Sequence, residues 1–74
     1  MTNNPKSGVD TIKLAALLAE FNKLDAAGAA RVGHPDNDKR NQVLDEMQDV
    51  AGLAGRMVME RDILKKTEQL LKAK

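Results

Sequence analysis

His34-Pro35-Asp36-Asn37-Asp38 is the one strong cluster of turn-forming residues in the chain, and it follows directly on Gly33. Glycine supplies the left-handed residue that closes a helix, and proline cannot continue one, so a helix arriving from the amino-terminal side ends near residue 32. Asp36 and Asp38 then sit where the positive end of a following helix favours carboxylates. One turn between two periodic stretches predicts two helices.

Working back from the turn, Leu14, Leu17, Leu18, Phe21, Leu24 and Gly28 recur at steps of three and four, with Lys13, Glu20, Asn22, Lys23 and Asp25 between them. This is one apolar stripe on a helix, predicted over residues 7–32. Ser7 followed by Asp10 has capping-box spacing, with Asp10 as the alternative cap. Residues 1–6 hold Asn3, Asn4 and Pro5 and no apolar anchor after Met1, and are expected to form a mobile tail. Working forward, Val43, Val50, Met57, Leu64 and Leu71 are spaced by seven and predict a second helix over 38–74. Leu44, Met47, Leu53 and Ala54 broaden that seam. Lys65, Lys66, Lys72 and Lys74 load its end with positive charge, and Asp62/Lys66 and Glu68/Lys72 have the spacing of ion pairs.

The expected fold is all-α: a two-helix antiparallel hairpin in a single domain spanning 1–74, with the turn at 33–37, completed by dimerisation or by docking on a partner. Folded about Pro35, the hairpin opposes Leu14 to Met57, Leu17 to Ala54, Leu18 to Leu53, Phe21 to Val50, Leu24 to Met47 and Gly28 to Val43. The second helix is about 36 residues against about 25 for the first, which leaves roughly 15 Å of it unmatched. Ile63, Leu64, Leu70 and Leu71 fall on that overhang. With Met59, which lies off the seam, they are the expected partner-binding residues.

Composition narrows the function. At 74 residues the chain buries only roughly 60% of its unfolded surface, and it has no cysteine for a disulfide framework, so self-association is the usual remedy. Lys and Arg number 12 against 11 Asp and Glu, a net charge of +1, far from the excess that drives phosphate binding. There is no secretory leader pattern and no apolar run near the roughly 18 residues of a membrane span, which points to a cytoplasmic protein. His34, the only histidine, has no second imidazole or thiol beside it. Asp36-Asn37-Asp38 opens like a calcium loop, but Asn41 and Met47 stand where that loop needs glycine and glutamate. Ala51-Gly52-Leu53-Ala54-Gly55 has the small-residue spacing of a helix-turn-helix turn, but Arg61 stands where a branched apolar residue belongs.

No catalytic, cofactor or metal site is expected. The reading is a small non-enzymatic interaction protein, of the regulator, inhibitor or co-chaperone type, that binds a protein partner or a second copy of itself. Two alternatives accompany it. Helices joined at His34 to Asp38, in a chain of this length, resemble type III secretion needle subunits and their hairpin chaperones, which implies a filament subunit; the tryptophan and tyrosine typical of needle subunits are absent. A dimeric nucleic-acid-binding hairpin is the other, although Glu60 and Asp62 interrupt its basic stripe at Arg56, Arg61 and Lys65.

Overall fold

The computed structural model describes residues 9–72. Three helices follow in order: α1 (Thr11–Ala26), α2 (Asn37–Val50) and α3 (Glu60–Lys72), with no strand among the described residues. The all-α class is as expected. The two-helix hairpin is not: what reads as one helix over 38–74 is two, separated by a connector at residues 51–59.

The local chemistry explains each end. Asp10 is the N-cap of α1, its carboxylate accepting the Lys13 N–H at 3.0 Å; Ser7 and the expected tail lie outside the described residues. Helix α1 stops at Ala26, six residues early, because Gly28 takes φ 91°. The Gly28 N–H then reaches Asp25 O and the Ala29 N–H reaches Leu24 O, both at 3.0 Å, the paired bonds of a Schellman cap. Helix α2 ends the same way. Gly52 takes φ 84°, its N–H reaches Asp49 O at 3.0 Å, and the Leu53 N–H reaches Gln48 O at 2.9 Å. The sequence Asp-x-Ala-Gly stands at both stops, Asp25 to Gly28 and Asp49 to Gly52. The seven-residue repeat from Val43 to Leu71 carries no signal strong enough to run a helix through Gly52.

After α2 the chain doubles back. The Gln48 side-chain amide donates to Leu53 O at 3.0 Å and to Arg56 O at 2.9 Å, holding the connector against α2. By Glu60 the chain has returned to Arg40 and to the Asp25 end of α1, so α2 and α3 both start at that end of the bundle. Helix α3 packs against α1 and α2. The core is Leu14, Leu17, Phe21 and Leu24 from α1, Val43 and Met47 from α2, Ile63 from α3, and Ala29 and Ala51 from the two caps. Thr67 is fully buried in α3, its hydroxyl satisfied by Ile63 O at 2.8 Å.

The register differs from the expected one accordingly. Glu20 pairs with Lys39 at 3.6 Å and Lys13 pairs with Glu46 at 3.9 Å, neither pair in line with the expected oppositions. Leu24 and Met47 are both buried as expected. The Leu14/Met57 pairing is lost, since Leu14 is buried and Met57 fully exposed. The pairs Asp62/Lys66 and Glu68/Lys72 do not close among the described residues. No described helix is long and apolar enough to cross a membrane.

Candidate interaction surface

The surface begins with the clasp that sets the connector in place. Arg40, buried on α2, donates from Nε to Asp25 Oδ1 at 3.1 Å and from Nη2 to Glu60 Oε2 at 2.7 Å, and its guanidinium stacks 4.5 Å from the Phe21 ring centroid. One side chain thus ties α1, α2 and the first residue of α3. Hydrogen bonding to Glu60 and the charges of Glu60 and Asp25 outweigh the cost of burial and hold the guanidinium proton more firmly than usual.

Between the Gln48 brace and this clasp, residues 57–59 lie outside any helix, and their side chains alternate sides. Val58 turns inward and packs on the core; Met57 and Met59 turn outward, 102% and 67% exposed. Ile12 and Val32, at 84% and 95%, are the other large apolar side chains in water among the described residues.

Of the expected partner-binding residues, Met59 is therefore exposed, while Ile63 is a core residue at 3%. Leu64, Leu70 and Leu71 are half-buried and pack on the core. The overhang does not exist: with the connector folding α3 back, those leucines cover α1 and α2 themselves. Met57, read as core filler on the heptad seam, is the residue sequence reasoning missed. The signal lay in the repeated Asp-x-Ala-Gly stop and the alternation in Met57-Val58-Met59. Arg40 left no such signal, since burial of an arginine depends on carboxylates brought from two other helices.

The other motifs are absorbed by local structure. His34 Nδ1 accepts the Asp36 N–H at 3.0 Å, which puts any proton of the neutral ring on Nε2. Asn37 opens α2 and ties the turn down by donating to Ala29 O at 2.8 Å. The 51–59 connector is longer than the three or four residues of a helix-turn-helix turn. Among the described residues no group of His, Asp and Glu side chains gathers as a metal site.

Comparison with known proteins finds no family model that matches the chain, no matching curated relative and no matching solved structure.

Proposed function

We propose that this chain is a small non-enzymatic interaction protein of the cytoplasm, a regulator, inhibitor or co-chaperone, that binds a protein partner through Met57 and Met59. The observation that carries this reading is the presentation of two large apolar side chains on a segment braced at both ends. Met57 and Met59 face water while Val58 between them packs inward. Gln48 fixes the segment on one side and Arg40–Glu60 on the other, so little conformational freedom is lost on binding. Methionine is unbranched and polarizable and moulds to an apolar partner, which suits a surface that receives a side chain or a helix. The grooves on the described bundle surface are open to solvent, a poor setting for sequestered chemistry.

The test is affinity capture from the source organism with wild type and with Met57→Ser/Met59→Ser, bound species being identified by mass spectrometry. A protein retained by the wild type and lost by the double variant is the expected result. Identical sets of bound species would place the binding surface elsewhere.

A further inference from the structure

A second surface, separate from the methionines, is written in charge. Asp38, Asp45 and Asp49 lie exposed along the outer face of α2, and Arg61, Lys65 and Lys72 lie exposed along α3. None of the six is in an ion pair among the described residues, whereas Lys39 and Glu46 of α2 are already matched by Glu20 and Lys13 of α1. Asp45/Asp49 and Arg61/Lys65 are each like charges one turn apart, an unfavourable arrangement within a single helix. Asp49 also stands in the last turn of α2, where the helix dipole disfavours a carboxylate. Asp62 and Glu68 lie among the α3 bases without closing an ion pair to them, so Arg61, Lys65 and Lys72 keep no ion-pair partner among the described residues.

The two stripes are complementary in register. Along α2 the acids step by seven and then four residues; along α3 the bases step by four and then seven. Laid antiparallel, Asp38 meets Lys72, Asp45 meets Lys65 and Asp49 meets Arg61. The same alignment sets Gln42 against Glu68, Asn41 against Gln69 and Gln48 against Asp62, so no like charges are directly opposed, with Glu68 falling between Asp38 and Asp45. It also brings Asp49 to the positive end of α3, where a carboxylate is favoured.

We propose that these faces are the two halves of one interface and that a second copy of this chain occupies it. Because α2 and α3 start at the same end of the bundle, a two-fold axis across the helices lays α2 of one copy antiparallel to α3 of the other, and each ion pair occurs twice. Exposed pairs are screened by salt, so this dimer forms at low ionic strength and dissociates in concentrated salt. The inference does not depend on the methionine surface, which the charge variants below leave intact.

Sedimentation of the full chain tests it, with far-ultraviolet circular dichroism confirming that each variant is as helical as the wild type. At about 0.01 M ionic strength, where the screening length is roughly 30 Å, the wild type is expected to dimerise, and at about 0.5 M salt to become monomeric. Asp45→Lys and Lys65→Asp, each alone, set like charges in register and raise the dimer dissociation constant by about tenfold or more. Mixed together, the two variants are expected to form a one-to-one heterodimer. The lysine introduced in one chain then meets the aspartate introduced in the other, and at the symmetric position the unaltered Lys65 of the first meets the unaltered Asp45 of the second. A wild type that stays monomeric at low salt, or a mixture that associates no better than its components, would overturn the proposal.

Discussion

The Arg40 guanidinium lies 4.5 Å from the Phe21 ring centroid, so the one charged side chain buried among the described residues rests on the only phenyl ring in the chain. The ring supplies apolar cover and a favourable quadrupole on one side, and Asp25 and Glu60 supply acceptors on the other. Arg40→Met keeps most of the buried stem but loses the ion pairs. Since the Asp25 and Glu60 side chains are 49% and 45% exposed and can rehydrate, a loss of about 1–3 kcal/mol is expected, short of a fully buried pair. Phe21→Ala is expected to cost about 3–5 kcal/mol. Thermal unfolding of both single variants and the double should give less than the sum, with about 0.5–2 kcal/mol of coupling. Strict additivity would contradict the stacking.

Gly52→Ala discriminates the observed connector from a continuous helix by its sign. In mid-helix, alanine in place of glycine stabilises by about 1 kcal/mol. At φ 84° with nothing near the added Cβ, the clash is with the residue's own backbone, and alanine costs about 1–2 kcal/mol. Gly55→Ala, at φ 78°, is expected to behave alike. In a domain this small each 1 kcal/mol moves the unfolding midpoint by roughly 4–8 °C, so a scanning calorimeter reads the direction directly.

The α1 stripe was legible because burial on one face of a helix leaves a period of three and four, and Leu14, Leu17, Phe21 and Leu24 are the residues it buries. The all-helical class and the break before Asp36 were legible for the same kind of reason, since turn chemistry is local. The second break was masked by coincidence. Val50, Met57 and Leu64 keep a spacing of seven across a connector that is not helical, and a repeat of identities cannot report a left-handed glycine between them. Burial of Ile63 and exposure of Met57 both follow from that one hidden turn, because folding α3 back decides which apolar side chains have something to cover.

Leu64→Ser/Leu71→Ser checks where the α3 leucines belong. Half-buried against the core, they are expected to cost about 2–4 kcal/mol together when replaced, with helicity lost at lower temperature. Ile63→Ser alone should cost about 3–4 kcal/mol, being almost wholly buried. If the double variant melts like the wild type, α3 is not a working part of the bundle's core.

Met57 and Met47 share the expected hairpin seam yet lie at opposite extremes of exposure, 102% and 0%. Oxidation of a thioether to its sulfoxide follows solvent access, so brief treatment of the folded chain with dilute hydrogen peroxide, followed by peptide mass spectrometry, ranks the methionines. Met57 and Met59 are expected to oxidise together and early, with Met47 following only as the bundle unfolds. Protection of Met57 to the same degree as Met47 would mean that residue 57 sits in the core, and would contradict both the connector and the surface assigned to it.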